Sequence, residues 1–148
     1  MQSLNDKIEK LSASLHAVVN GEFYDYQRYQ RTLTDRGHHL RTRSDSEILL
    51  HLYEEEGTHC LRHLRGEFAF VLWDERNGLL FAARDRFGIK PLYYAHRPDR
   101  SLVFASELNA LLASGLVERE IDAASVGEYL AWFSVPAPRT VYRGIVNL

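Results

Sequence analysis

Three consecutive residues, Asn20, Gly21 and Glu22, are the part of this chain best suited to acyl-transfer chemistry. They follow a stretch in which apolar residues alternate from Leu11 to Val19, a pattern that predicts a β-strand ending at the glycine. A side-chain amide and an adjacent glycine N–H can converge on one oxygen that becomes negative during acyl transfer. Asn20 and Gly21 are therefore candidates for an oxyanion hole. The alternative is a turn with unusual backbone angles, which is the more common meaning of an isolated Asn-Gly pair.

The single cysteine, Cys60, is the obvious candidate for a nucleophile, but its surroundings favour another role. It lies within a helical pattern, where a small packing residue is expected, so we do not assign it as a nucleophile. His59 and His63 share a helix face beside it and suggest metal ligation. Because the sequence offers no fourth ligand nearby, a solvated helix face is the preferred interpretation and no metal site is predicted.

The strands that position these residues are predicted in the middle of the chain. Residues 68–73 are apolar on both pleat faces, so both faces must be covered. Turn residues at 74–78 and 97–100 precede apolar runs at 79–85 and 102–105. We therefore expect an antiparallel meander buried between layers.

Helices are predicted before and after this meander. One helix ends at Gly37, and the capping-box spacing of Ser44-Asp45-Ser46-Glu47 predicts a second from Asp45 to near Gly57. A short helix near Ser3 and a turn or two over residues 59–64 are further expectations. Ser106 is expected to cap a helix over residues 107–113, and Asp122 to open the last one. Its side chains expected to point inward are Val126, Tyr129, Leu130 and Phe133.

Composition limits the class of protein. The chain has 148 residues, of which 45% are hydrophobic and 26% charged, as in a globular domain. A formal net charge of -2 gives no electrostatic reason to expect nucleic acid, and no apolar run is long enough to span a membrane. The start of the sequence lacks the features of a secretory signal, and one cysteine allows no internal disulfide. These features predict a cytoplasmic protein.

Five motifs occur in an order that resembles one known family. They are Asn-Gly-Glu-Phe-Tyr from Asn20, Arg-Ser-Asp-Ser-Glu-Ile-Leu-Leu from Arg43, Leu-Arg-Gly-Glu-Phe-Ala-Phe-Val-Leu-Trp-Asp from Leu64, Ala-Arg-Asp-Arg-Phe-Gly-Ile-Lys-Pro-Leu-Tyr-Tyr from Ala83, and Phe-Ala-Ser-Glu-Leu from Phe104. The chain strongly resembles the amino-terminal class II glutamine amidotransferase domain of glutamine-hydrolysing asparagine synthetases. The resemblance covers nearly all of residues 18–148.

The resemblance implies a fold and a mechanism. The fold would be α+β, a four-layer αββα sandwich of the N-terminal-nucleophile hydrolase type, with residues 1–148 forming one partial domain incomplete at the N-terminus. In that family an N-terminal cysteine attacks the glutamine amide with its own α-amino group as base. Asn20 and Gly21 match the oxyanion hole. Glu22 and Asp45 match positions that contact glutamine, with Asp45 facing the ammonium group. Asp45 is also an acid in the first turn of a predicted helix, and both roles can coexist.

Three features of the family have no counterpart in this sequence: the Cys-Gly-Ile opening, the arginine that holds the glutamine carboxylate, and a Ser-Gly-Gly-Leu-Asp-Ser pyrophosphate loop. We therefore expect a domain truncated at both ends, with a cysteine-led segment encoded upstream of Met1 and no glutaminase activity in the chain as given. No cofactor is expected within it, and ATP and Mg would bind only in a synthetase domain. Its expected partners are glutamine and that synthetase domain or subunit, with no nucleic acid and no membrane.

Two alternatives stay open. One is a cysteine-less structural domain of another ATP-dependent amide-forming synthetase, such as a β-lactam synthetase. The other is a non-catalytic glutamine-sensing or interaction module. Self-association into a homo-oligomer is also expected if missing strands leave sheet edges and apolar faces open.

Overall fold

The computed structural model describes residues 14–148, so the helix predicted near Ser3 and the strand start predicted at Leu11 lie outside the described residues. In chain order the elements are β1 (Leu15–Phe23), α1 (Tyr26–Asp35), α2 (Glu47–Glu56), a 3-10 helix (Gly57–His63), β2 (Gly66–Asp74), β3 (Leu79–Arg84), β4 (Tyr93–His96), β5 (Leu102–Ala105), α3 (Leu108–Ala113), α4 (Ala123–Trp132) and β6 (Val146–Asn147). The backbone divides into two compact units, the first ending at Ile89 and the second spanning Lys90–Leu148.

The first unit is an antiparallel sheet with helices on one face. Its strand order is β1-β2-β3, and the register places Gly21 opposite Phe68 and Asn20 opposite Ala69. Alternate residues of β1 and β2 point toward the helices and join one apolar core. The buried members of that core are Leu15, Phe23, Leu33, Ile48, Leu49, Leu52, Tyr53, Cys60, Leu64, Phe68, Phe70, Leu72 and Ala83.

Strand β2 is buried on both faces over most of its length, as its sequence predicts. Phe70 on the core face is 1% exposed, and Ala69 and Val71 on the other face are 2% and 6% exposed. Trp73 departs from this pattern with 40% exposure. The prediction of cover on both faces is therefore confirmed for residues 68–72 and wrong at Trp73, near the end of the strand.

The predicted end of strand β1 at Gly21 is wrong, because the strand continues to Phe23. Gly21 has a φ of 118°, and its pairing opposite Phe68 is retained. A positive φ is inexpensive for glycine, so the residue changes the local backbone direction without interrupting the ladder. The extension carries Glu22 and Phe23 into the sheet, where they pair with Glu67 and Gly66.

Helix α2 ends at Gly57 as predicted but begins at Glu47, because the predicted capping box does not form. The Glu47 carboxylate accepts hydrogen bonds from the Arg41 and Thr42 backbone nitrogens at 2.6 and 2.7 Å, and from the Thr42 hydroxyl. Because the Glu47 carboxylate already accepts these hydrogen bonds from the preceding loop, it does not accept the hydrogen bond from the Ser44 backbone nitrogen that a capping box requires. The expected helical turns at residues 59–64 form the 3-10 helix, and α1 is followed by Gly37 with a φ of 93°, as predicted.

The second unit contains its own antiparallel sheet, in the order β5-β4-β6, with α3 packed against it. The predicted single meander is therefore wrong, because β4 pairs with β5 and β6 and not with β3. The change of sheet follows a turn after β3. There Asp85 Oδ1 accepts hydrogen bonds from the backbone nitrogens of Phe87 and Ile89, and Gly88 has a φ of 62°.

Helix α4 is opened by Asp122, whose carboxylate accepts from the Ser125 backbone nitrogen, as predicted. The predicted inward face is wrong. Leu130 is 73% exposed and Phe133 85% exposed, whereas Ser125 is fully buried. Helical spacing identifies an apolar face but does not say what covers it. Tyr129, at 49% exposure, lies on the same open surface, and Val126 is half-buried.

The start of helix α3 also differs from prediction. It begins at Leu108 after Glu107, whose backbone is extended and whose side chain makes no capping hydrogen bond. Ser106 is therefore one position too early to cap it. Within residues 14–148, no helix combines the length and the apolar character needed to cross a bilayer.

Candidate functional site

The end of β1 brings two of the sequence-predicted site segments together. The backbone nitrogen of Phe23 donates a hydrogen bond to Oδ2 of Asp45 at 2.6 Å. Asn20, Gly21 and Glu22 immediately precede Phe23, so the Asp45 carboxylate adjoins the same strand end. Asn20 lies three residues back along the strand, about 10 Å from Phe23 at the rise of an extended chain. The candidate residues therefore lie along the last part of one strand, with Asp45 attached at its final residue.

Asp45 is positioned by the start of α2. Its backbone oxygen accepts a hydrogen bond from the Ile48 nitrogen at 3.2 Å, which places its carboxylate before the positive end of the helix. The loop that delivers it is held by Glu47. Burial alone would raise the pKa of Glu47, but hydrogen bonds from Thr42 and Arg41 lower that pKa below its ordinary value. The ionised Glu47 thus fixes the loop that aims Asp45.

Asn20 and Glu22 share one face of β1, since alternate residues of a strand point the same way. Their cross-strand partners are Ala69 and Glu67. The opposite face of β1, which includes Phe23, packs in the core. The Asn20 amide and the Glu22 carboxylate are thus directed away from the hydrophobic core of the first unit, where a polar ligand can reach them.

Gly66 allows β1 and β2 to approach closely beside the site. A Cβ atom at this position would lie 2.1 Å from the carbonyl oxygen of Glu22, and the φ of Gly66 is 142°. The two chain segments stay close just beyond this point, where the Tyr24 nitrogen donates a hydrogen bond to the Arg65 carbonyl oxygen at 2.7 Å. The backbone carbonyl of Glu22 is therefore fixed by a contact that only glycine permits.

Carboxylates make this strand end electronegative. The pKa of Tyr24 is raised, first by desolvation and then by a hydrogen bond and charge from Glu67, with further contributions from Glu22 and Asp85. Asp45 adds a fourth carboxylate at Phe23. Negative groups of this kind attract a cationic group, such as the ammonium of an amino acid.

Cys60 is a packing residue, as predicted. Its side chain has no exposed surface and belongs to the core of the first unit. Burial, with a smaller contribution from the Glu56 charge, raises the pKa of the Cys60 thiol to about 11. The neighbouring His63 contacts Glu56 at 2.9 Å, and His59 is exposed. The thiol is therefore enclosed in the folded domain, and His63 is engaged by Glu56.

His38, His51 and Glu54 form a buried polar cluster that was not predicted from the sequence. His51 and Glu54 are three residues apart on α2, a spacing that places both on one helix face, and this was the available signal. His38 lies in the loop after α1 and is brought to them by folding. Burial opposes protonation of His51, but Glu54 and Glu47 raise its pKa above the ordinary value. The cluster therefore favours positive charge.

Known proteins resemble this chain over most of its length. The family profile described as "Glutamine amidotransferase domain" matches residues 6–148. Amidase chry2 of Gibberella zeae is 49% identical over 112 residues, which are 76% of this chain and 16% of that protein. Glutamine-hydrolyzing asparagine synthetase 3 of Bacillus subtilis is 40% identical over 132 residues, which are 88% of this chain and 21% of the relative. The chain thus spans about a fifth of the length of these curated relatives.

A solved structure gives the same result. The glutamine phosphoribosylpyrophosphate amidotransferase from B. subtilis, complexed with ADP and GMP, superposes with a TM-score of 0.61 at 27% sequence identity. The likeness covers 73% of this chain and 25% of that one. It confirms the α+β fold of the N-terminal-nucleophile hydrolase type, to which each unit contributes a helix-covered antiparallel sheet. The profile match extends through both units and over the strand end that carries Asn20, Gly21 and Asp45, and on this ground the chain belongs to the glutamine amidotransferase domain family.

Proposed function

We propose that this domain binds glutamine at the end of β1 and supports hydrolysis of its side-chain amide, releasing ammonia for an ATP-dependent synthetase that makes asparagine. The observation that carries the proposal is the 2.6 Å hydrogen bond from the Phe23 nitrogen to Asp45, which joins this acid to the end of the strand that bears Asn20, Gly21 and Glu22. The likeness to glutamine-hydrolyzing asparagine synthetases supports the choice of glutamine and of the consuming reaction.

Each residue has a separate role in this proposal. Asp45 and Glu22 bind the α-ammonium end of glutamine, which the surrounding carboxylates favour. The side-chain amide of Asn20 and the N–H of Gly21 donate hydrogen bonds to the amide oxygen as it becomes negative in the tetrahedral intermediate. The fixed carbonyl of Glu22 keeps this part of β1 in place during the reaction.

The attacking group is a cysteine that these 148 residues do not supply. The one cysteine of the sequence is buried, with its pKa raised to about 11, and a buried thiol of that kind is a poor nucleophile at neutral pH. We propose that a family-type segment led by an N-terminal cysteine completes the site, with its own α-amino group as base. ATP and Mg act in the synthetase part, in a cytoplasmic enzyme, and this domain needs no cofactor of its own.

The test is a glutaminase assay that measures glutamate release. It compares the 148-residue chain with a version extended by a cysteine-led segment, and with extended variants carrying Asn20→Ala, Asp45→Asn or Cys60→Ala. Activity is expected only in the extended forms. Asn20→Ala should lower kcat by roughly 10²–10³-fold, the usual loss on removing one oxyanion-hole donor. Asp45→Asn should act mainly on KM, and Cys60→Ala should leave the rate unchanged.

Two results would contradict the proposal. Activity in the unextended chain that disappears in Cys60→Ala would make the buried cysteine the nucleophile. Extended forms that fold but never release glutamate would favour the cysteine-less structural domain or the glutamine-sensing module. Calorimetry with glutamine separates these two, because only a sensing module binds glutamine without hydrolysing it. The DNA upstream of Met1 gives an independent answer through the presence or absence of a Cys-Gly-Ile opening.

A further inference from the structure

Two histidine rings and one carboxylate, all of the kind that ligate metal ions, converge inside the first unit, at a place distinct from the strand end described above. Nδ1 of His38 and Nδ1 of His51 are 3.0 Å apart. Oε2 of Glu54 lies 3.3 Å from Nδ1 of His51 and 3.7 Å from Nδ1 of His38. The side chains are 8%, 4% and 4% exposed respectively. The two Nδ1 atoms and Oε2 thus form a small triangle that is almost fully buried.

The outer nitrogen of each ring faces a different carboxylate. Nε2 of His38 is 3.2 Å from Oε1 of Glu55, and Nε2 of His51 is 3.7 Å from Oε1 of Glu47. A carboxylate acceptor favours the tautomer that carries its proton on the nitrogen facing it. With its proton on Nε2, His38 directs the lone pair of Nδ1 toward the shared centre. Nδ1 of His51 lies closer to Glu54 than Nε2 does to Glu47, so His51 offers a lone pair to the same centre when a metal ion displaces the proton from Nδ1. Carboxylate–histidine pairs of this kind commonly orient the histidine ligands of a bound metal.

Glu54 supplies an independent indication that a cation belongs in this centre. Neither oxygen of its carboxylate has a hydrogen-bond partner, although both are buried. A buried carboxylate without hydrogen bonds is costly. The groups that can supply a counter-charge are the His51 and His38 rings, at 3.3 and 3.7 Å, and a ring supplies one only while it is protonated. A positive ion at the centre supplies that counter-charge.

The size of the triangle indicates which ion fits. Zn²⁺ binds histidine nitrogen at about 2.0–2.1 Å and carboxylate oxygen at similar distances, so two ligands on one tetrahedral edge are roughly 3.3 Å apart. The three edges here measure 3.0, 3.3 and 3.7 Å. Two nitrogens and a carboxylate suit zinc and its neighbours in the transition series, whereas Ca²⁺ and Mg²⁺ prefer oxygen ligands.

We infer that His38, His51 and Glu54 form a buried binding site for a divalent transition-metal ion, with Zn²⁺ as the best match. Glu54 completes the coordination with its second oxygen, or a water does so. Because the centre is enclosed and joins the loop after α1 to helix α2, the ion has a structural role. It ties the residues that follow α1 to the middle and last turn of α2, the helix whose start adjoins Asp45. The inference does not depend on the proposed glutamine chemistry.

The experiment uses the full 148-residue chain after removal of metal with a chelator, and the probes are Zn²⁺ and Co²⁺ alone. Zn²⁺ is titrated in competition with a chromophoric chelator, and Co²⁺ is followed by its visible absorption, which reports tetrahedral coordination. We expect one equivalent of Zn²⁺ to bind and to raise the melting temperature, while Mg²⁺ has no such effect. Glu54→Gln keeps the side-chain shape but removes the charge, and should weaken Zn²⁺ binding by at least about 100-fold. The exposed His59→Gln is the matched control and should bind as the parent chain does.

Three outcomes would overturn the inference: no stoichiometric Zn²⁺ binding, undiminished affinity in Glu54→Gln, or a Co²⁺ spectrum of hexaaquo type. A cluster that holds only a proton would give the first and third of these. If Glu54→Gln fails to fold, the Co²⁺ spectrum of the parent chain and its response to the conservative Glu54→Asp change still decide the matter.

Discussion

The carboxylate of Asp45 accepts a hydrogen bond from the backbone nitrogen of Phe23 at 2.6 Å, although the two residues are 22 positions apart in the sequence. One contact therefore joins the first turn of a helix to the last residue of a strand. The same acid is the one that the resemblance assigns to the ammonium group of glutamine. One side chain would therefore serve both structure and the proposed ligand binding, and conservative changes can separate the two contributions.

Replacing Asp45 tests this double role. Asp45→Ala removes a charged hydrogen-bond acceptor and should lower the free energy of unfolding by about 1.5–3 kcal/mol. Asp45→Asn keeps an acceptor oxygen and should cost less, while still losing the attraction to an ammonium group. Urea unfolding measures the first effect and glutamine calorimetry on the extended domain measures the second. Asp35→Asn, at an exposed helix end, is the control and should change neither.

Substitution of Gly66, at the start of β2, should destabilise the domain far more than substitution of Gly78, which lies in a turn. Gly66→Ala places a Cβ 2.1 Å from the Glu22 carbonyl oxygen, and we expect it to lower the free energy of unfolding by more than about 3 kcal/mol. Gly78→Ala has open space around it and a φ of 58°, so it should cost only about 1 kcal/mol. Denaturant midpoints of the two variants give the comparison. Equal losses would mean that the close strand approach is not a constraint.

Asp74 should make stability fall in acid. Burial alone raises the pKa of Asp74, but hydrogen bonds from Asn77, Tyr53 and Arg76 lower it below its ordinary value. Because the folded-state pKa is depressed, the stabilisation is present above the unfolded value of about 3.9 and is lost as pH falls through the folded one. Asp74→Asn should therefore be less stable at neutral pH and lose less on acidification. Melting curves from pH 7 to pH 2, with the exposed Asp35→Asn as control, check this expectation.

Cys60 should be unreactive while the domain is folded. With the pKa of its thiol raised to about 11, little thiolate exists at pH 8, and the side chain is fully buried. We expect alkylation to be more than about 100-fold slower than in the urea-unfolded chain, which has an ordinary thiol. Mass spectrometry after timed labelling provides the rates. Fast labelling of the native chain would contradict the assignment of Cys60 as a core residue.

The exposed apolar surface of α4 should promote self-association of the isolated chain. Leu130, Trp132 and Phe133 are 73%, 75% and 85% exposed, and neighbouring apolar residues of this size rarely remain open to water. The double change Leu130→Lys with Phe133→Glu should lower the mass found by light scattering. Leu116→Lys, at another exposed position of the same unit, should have a smaller effect. A parent chain that is already monomeric at high concentration would exclude this surface as the cause.

Local signals in the sequence were sufficient for much of the fold. The doubly apolar run in β2 predicted a buried strand, and Gly37 and Gly57 predicted the ends of two helices, because positive φ at a helix end is a local requirement. The capping box failed for a local reason as well. Glu47 had a stronger set of donors in Arg41 and Thr42 than in Ser44, and spacing alone cannot rank competing partners.

Nonlocal features could not be predicted in the same way. Periodicity gave no indication that β4 would pair with β5 and β6 in a separate sheet, because pairing is decided by turns and packing outside each strand. The outward face of α4 was missed for the same reason. At the candidate site, only the family resemblance indicated that Asp45 would lie near the end of β1. No pattern in the sequence predicted that His38 would contact His51 and Glu54, because His38 lies in a loop.

The position of β1 suggests how the domain could be assembled from two pieces. Within residues 14–148, β1 has a neighbouring strand on one side only, so the strand that bears Asn20 and Gly21 is also the border of its sheet. A border strand is a template to which a separate peptide can add by backbone hydrogen bonding. Under the proposed function, a cysteine-led peptide supplied in trans and added at this border would lie beside Asn20 and Gly21, and glutaminase activity could then be switched on by adding the peptide.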